Sequence, residues 1–181
     1  MREEVVLTMQ RTRLWLILVL LFAHLNAATA APAPQVTFDH NGVRPGDAAL
    51  TTRSLDPQEL KDLTLVELRL LRAGVFARHG HAFDTPWVGA YFQRQPWYRA
   101  RGVVRMEALT ALEQANVNLI DSATNKKSLS QLKDIREGIY GHYQRPSTMD
   151  ETDRIEIALT YELQERFQTR EGRAAAPENG P

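Results

Sequence analysis

The sequence predicts an all-α fold, a small irregular bundle of about five helices, and three observations predict it. Between about residues 65 and 167, apolar residues recur every third or fourth position, the repeat of helices that turn one face to a core. Two of these runs open on helix start signals, Thr64 with Glu67 three residues on and Thr85 followed by Pro86. Such residues supply an acceptor, or a residue without an N–H, where the first turn leaves amides unpaired. No run alternates long enough to make a strand.

The bundle is expected to follow an export signal and a spacer. Arg11 and Arg13 form a positive start, Leu14 to Phe22 is an unbroken apolar run, and Ala28-Thr29-Ala30 offers a small-x-small cleavage site, so cleavage is expected after Ala30. The apolar stretch ends near His24 and Asn26, short of the roughly 20 residues that span a bilayer. No stable membrane insertion is therefore expected once the leader is removed. Glu3 and Glu4 are unusual in such a start, and Met9 heads a better one. Residues 31–53, rich in Pro, Gly, Ala and Thr, read as a flexible spacer.

The helices follow in order. The first runs from about Leu65 to His79, with Gly80 just past its end in left-handed geometry. A short one through Trp87, Tyr91 and Phe92 follows Thr85-Pro86. Met106, Leu109, Leu112, Leu119 and Ile120 mark a third, Leu129, Leu132, Ile135, Ile139 and Tyr140 a fourth, and Ile155, Leu159, Leu163 and Phe167 a fifth. This places one helical domain over 54–121, a helical extension packed on it over 122–169, and a disordered tail over 170–181.

Composition narrows the function classes. The 181 residues carry 22 basic and 22 acidic side chains, and near-neutrality gives no electrostatic reason to expect nucleic acid as a partner. Cysteine is absent, which excludes disulfides, thiolate metal sites, a cysteine nucleophile and a lipid-modified N-terminal cysteine. The exported domain must hold together by packing. No cofactor motif is visible, and neither Ser-x-x-Lys, Gly-x-Ser-x-Gly nor His-Glu-x-x-His occurs.

The densest chemistry lies between Leu68 and Arg101. Phe76-Ala77-Arg78-His79-Gly80 is preceded by Leu68-Arg69-x-x-Arg72 and followed by Phe83, Tyr91-Phe92 and Pro96-Trp97-Tyr98, with Glu113-x-x-Asn116 further on. Together these resemble the YARHG family of bacterial extracytoplasmic domains over about Leu55 to Asp121. Phe76 stands in place of the namesake Tyr, Ala73-Gly74 replaces a polar pair, and His81 replaces an aromatic. The resemblance implies export and a helical fold, and it implies no established activity.

The residues have their own alternatives. At 100 degrees per residue, Leu65, Leu68, Leu71, Val75, Phe76 and His79 share one face with Arg72 among them, so His79 is expected to point to the core as a structural histidine. Arg78 falls on the flank, in reach of an acidic partner. Arg-His-Gly is also similar to the signature of the histidine phosphatases, where arginine binds phosphate beside a histidine nucleophile. Here it ends a capped helix, and the second histidine would have to be His142. His79 and His81, with Asp84 and either His40 or His142, present a weak metal-ligand spacing, and no metal is assigned. Arg78, His81, Trp97, Tyr98 and Arg99 are the candidate ligand-binding residues, aromatic faces and guanidinium groups suited to sugars or carboxylates. The expected function is a non-enzymatic binding or interaction module, periplasmic or secreted, with a cell-wall or envelope protein partner. The alternative is a hydrolase of envelope substrates.

Overall fold

The computed structural model describes residues 36, 38, 42–143 and 146–175. The expected leader, its cleavage site, His40 and residues 176–181 lie outside the described residues. Among the described residues there are six α-helices, which we label α1 (Ala49–Thr52), α2 (Leu65–Arg78), α3 (Pro86–Gln93), α4 (Ala111–Asn125), α5 (Leu129–His142) and α6 (Glu151–Ala175). Short 3-10 turns precede α2, α4 and α6. Among the described residues, the extended pairing is a single parallel bridge between His81 and Gly102.

Local chemistry explains where the helices begin. Thr64, Thr110 and Ser128 each accept the N–H of the residue three positions on, while Glu67, Glu113 and Gln131 reach back to the cap's own N–H. The third helix is therefore shorter than its apolar repeat suggested. Thr110 starts it at Ala111, Met106–Ala108 forms a 3-10 turn, and Leu109 is extended while still filling the core.

Helix α2 is the axis of the fold, and it is buried on more sides than one amphipathic face requires. Leu68, Leu71 and Val75 pack with Val117 and Ile120 of α4. On another side Leu70, Ala73 and Ala77 meet Val88 and Phe92 of α3, with Tyr98. At its N-terminal end Leu65 joins Leu132 of α5 and Leu163 of α6. A helix apolar around most of its circumference belongs at the centre of a domain. Truncating a fully buried leucine such as Leu70 or Leu71 costs about 2–5 kcal/mol.

The start of α2 is also held from far along the chain. Glu156 on α6 is buried and accepts the N–H groups of Leu65 and Val66 at 2.8 and 2.7 Å. With Thr64 accepting from Glu67, the first three helical amides are all paired, which removes the usual cost of a helix end inside a core. Burial pushes the Glu156 carboxyl above its ordinary value, and the two amide bonds oppose that shift without cancelling it.

Two segment boundaries differ from those read in the sequence. Residues 42–53, assigned to the spacer, contain α1 and place Val43 and Leu50 in the main core. Asn116 of α4 ties them down: Oδ1 accepts the N–H of Leu55 at 2.9 Å, and Nδ2 donates to the carbonyls of Leu50 and Arg53 at 3.0 and 2.8 Å. At the other end, α6 continues through Ala175, beyond the expected start of a disordered tail at 170.

Candidate functional site

The Phe76–Gly80 motif forms the C-terminal end of α2. Gly80 has φ of 80°, its N–H bonds the carbonyl of Ala77 at 2.9 Å, and the N–H of His81 bonds that of Phe76 at 3.1 Å. This is a Schellman cap, and the rings of Phe76 and His81, 5.8 Å apart, supply the apolar contact that accompanies it. The turn is then pinned from outside. The Gly80 carbonyl accepts the N–H of Arg101 at 2.7 Å, and Ala82 donates to Gly102 at 2.7 Å.

The side chains of the motif diverge. Arg78 donates to the carbonyl of Gly46, with its guanidinium 5.4 Å from the centre of the Trp97 ring. It reaches a carbonyl and an aromatic face rather than the expected acidic partner. His79 lies on the expected face, towards α4, but at its end, so it is not enclosed by the core. Its side chain is 36 % exposed, and Nε2 lies 2.8 Å from Oε1 of buried Glu113. The reason is its place at the helix end: His79 is the cap residue, one turn beyond Val75 on the face that packs against α4, and its ring reaches Glu113 where that packing gives way to solvent. Arg72, expected beside His79, instead bonds both oxygens of Asp121 through Nε at 2.8 and 3.1 Å. Burial raises the Glu113 carboxyl, but the Thr110 amide, His79 and the Thr110 hydroxyl together outweigh it and leave the carboxyl below its ordinary value.

A family description of the YARHG domain matches residues 47–140, more than half of the chain. The chain belongs to the YARHG domain family. YARHG domains are extracytoplasmic and of unknown function. No curated protein and no solved structure matches the chain. Among the described residues, no helix is long and apolar enough to cross a membrane.

The family motif in this chain is thus an end-of-helix knot, and its departures have structural partners. At Gly74 a Cβ would lie 2.4 Å from the carbonyl oxygen of Pro45, so the small residue lets the segment before α1 lie against the YARHG helix. Phe76 is buried beneath the Arg72 guanidinium, 5.2 Å from its ring centre. His81 stands between Phe76 and Phe83, and its Nδ1 accepts the N–H of Val104 at 2.8 Å.

The five candidate ligand-binding residues do not form one platform. Trp97 keeps an exposed edge at 37 % and pairs with Arg78. Tyr98 is buried, donates its hydroxyl to the His81 carbonyl at 2.6 Å, and is pushed up in pKa by burial. Arg99 donates to the carbonyls of Pro96 and Tyr98 at 3.2 and 2.7 Å. Among the described residues, no group of three or more His, Asp or Glu side chains is arranged to hold a metal. His79 and His81 are engaged by different partners, and His142 ends α5.

Two cavities flank a ridge made by Arg69 and Arg72 of α2. One, of about 350 Å³, opens between α2, α4 and α6, and its charges are already paired: Arg69 and Arg166 with Glu162, Arg72 with Asp121. The other, of about 340 Å³, takes Phe76, His81, Phe83 and Thr85 into its wall. Neither is lined by Arg78 or His79. Sequence reasoning named Arg69 and Arg72 as motif positions without giving them a site, and it missed Thr85. The available signal was that all three surround the same aromatic residues in sequence.

Proposed function

We propose that this YARHG protein is an exported, non-enzymatic binding or interaction module of the bacterial cell envelope, acting in the periplasm or after secretion, with a cell-wall component or envelope protein as its partner. The observation that carries this reading is the commitment of the motif's polar side chains to the fold. Arg78 anchors Gly46, and His79 anchors the capping carboxylate of Glu113. A hydrolytic site needs a nucleophile or base and an electrophilic stabiliser converging on one open pocket, and these two side chains reach apart. A phosphate-clamping use of Arg78 beside His79 finds no support in that geometry.

The test pairs binding with turnover. Purified mature protein is co-sedimented with isolated cell-wall sacculi and, in parallel, assayed for wall hydrolysis and for phosphatase activity on p-nitrophenyl phosphate. Saturable co-sedimentation without turnover is expected. Hydrolysis by the native protein that is lost in a folded His79→Ala variant would overturn the reading in favour of a hydrolase.

A further inference from the structure

The polar side chains around the 340 Å³ cavity beside Arg72 can all donate hydrogen bonds. Arg69 contacts Glu162 through Nη2 alone and Arg72 contacts Asp121 through Nε alone, so each guanidinium retains uncommitted N–H groups out of its five. His81 accepts at Nδ1 from Val104, which puts the ring proton of a neutral imidazole on Nε2, where it has no partner among the described residues. The Thr85 hydroxyl makes no cap bond and no other hydrogen bond among the described residues. No aspartate or glutamate lines this cavity, and Phe76, Phe83, Val88, Val104 and Met106 form its apolar wall.

Side chains with N–H and O–H groups left over, set against an apolar wall that holds no carboxylate, are complementary to an anionic oxygen carried on an apolar body. Planar guanidinium groups favour a carboxylate, which they bind through paired N–H groups. The carboxylates that pair with these arginines, Glu162 and Asp121, line the other cavity, so a free ammonium on the same ligand would find no carboxylate in this wall, and a ligand whose nitrogen is tied up in an amide is selected over a free amino acid. The size agrees: about 340 Å³ is near the bottom of the roughly 300–1,000 Å³ range of ligand pockets, which suits one residue and its neighbouring amide.

We propose that this cavity binds a carboxylate on a small apolar body without ammonium charge, the group presented by the last residue of a peptide. The proposal rests on the binding-module reading and names the ligand chemistry of that module. The same chemistry is offered by a short fatty acid, and the experiment separates the two sources.

The mature protein is titrated with N-acetyl-L-leucine, N-acetyl-L-leucinamide, L-leucine, acetyl-Ala-Leu and octanoate while backbone amide shifts are followed by NMR. N-acetyl-L-leucine is expected to shift Thr85, Val104 and Ala73 saturably, with the amide and the free amino acid about tenfold weaker. Arg72→Met should weaken binding about tenfold, and Thr85→Val, which removes no hydrogen bond of the described fold, several-fold. Asp121→Asn, which releases Arg72, should bind as well or better. Tighter acetyl-Ala-Leu assigns the site to peptide ends, and tighter octanoate assigns it to fatty acids. No saturable shift by any carboxylate at about 10 mM, tenfold above a millimolar Kd, overturns the proposal. If sacculi still bind, the cavity assignment alone fails; if they do not, the cell-wall form of the module reading fails with it.

Discussion

Replacing Asn116 with Ala should be among the most damaging polar substitutions in the protein. Asn116 is 2 % exposed and makes three hydrogen bonds to the backbone of residues 50–55. A net hydrogen bond contributes about 1 kcal/mol, and a buried donor left without a partner costs about 1–3 kcal/mol. The Leu55 N–H is such a donor, and the carbonyls of Leu50 and Arg53 lose their acceptor role together with it. The expected loss is about 2–4 kcal/mol, a large part of the 5–15 kcal/mol typical of a folded domain. For a domain of this size that lowers Tm by about 5–15 °C. Urea melts followed by far-UV circular dichroism measure it, with hydrogen exchange at Leu55 as the local readout. Asn116→Asp sharpens the test, since it keeps the acceptor for Leu55 but presents an oxygen to two carbonyls. That variant should be as unstable as Asn116→Ala at neutral pH and recover partly in acid, where a protonated carboxyl can donate one bond. A loss below about 0.5 kcal/mol, within the range of an ordinary surface change, with unchanged exchange at Leu55, would refute the idea that Asn116 holds this segment in place.

Other expectations follow from the same structure. Gly80→Ala should cost about 1 kcal/mol or more, because its φ is 80° and a Cβ would lie 2.9 Å from the Arg99 carbonyl oxygen; a denaturant melt equal to the native one contradicts this. His79→Ala should lose no more than about 1 kcal/mol, since its ion pair is partly exposed and screened, whereas Glu113→Ala should lose about 2 kcal/mol with its cap. The reverse order in matched melts would point to a role for His79 beyond the Glu113 contact. Two carboxyls give opposite pH signatures. The Arg53 hydrogen bond, helped by the Asp56 amide, holds Glu59 at about 2 against an ordinary 4.5, so its stabilisation is complete above about pH 4.5 and is lost as pH falls towards 2. Glu156 is raised above 4.5 by burial, so the folded state binds its proton more tightly and stability rises as pH falls through that raised value towards 4.5. Glu59→Gln should flatten the first window and Glu156→Gln the second, as read from melts across pH. Mass spectrometry of the extracytoplasmic protein should find Ala31 at its N-terminus; stably membrane-bound protein with an intact leader would contradict the export reading.

Much of the helical pattern was legible because its causes are local. The pairs Thr64 and Glu67, Thr110 and Glu113, and Ser128 and Gln131 lie three residues apart, and Gly80 follows its helix directly. The first of these and Gly80 were read from sequence. Thr110 was passed over because Met106 and Leu109 continued the apolar rhythm, although a capping box outweighs a rhythm that a 3-10 turn can also satisfy. Leu50 looked like part of a spacer because one buried leucine in a four-residue helix leaves no period to detect. The candidate site was less legible. Trp97 and Arg78 meet as an aromatic and a guanidinium, yet Tyr98, next in sequence, turns inwards to the His81 carbonyl.

By itself the sequence determined the all-α class, the run and end of α2, and membership of the YARHG family, since these depend on contiguous residues and on hydrogen bonds that close within five positions. Only the tertiary structure decided what the motif's side chains touch. Arg78 finds Gly46 across 32 positions, His79 finds Glu113 across 34, and Leu65 finds Glu156 across 91. Such pairings depend on how helices cross and rotate against one another. His79 keeps the direction of its helix face towards α4, and only the packing decides that the core ends there and leaves its ring partly exposed.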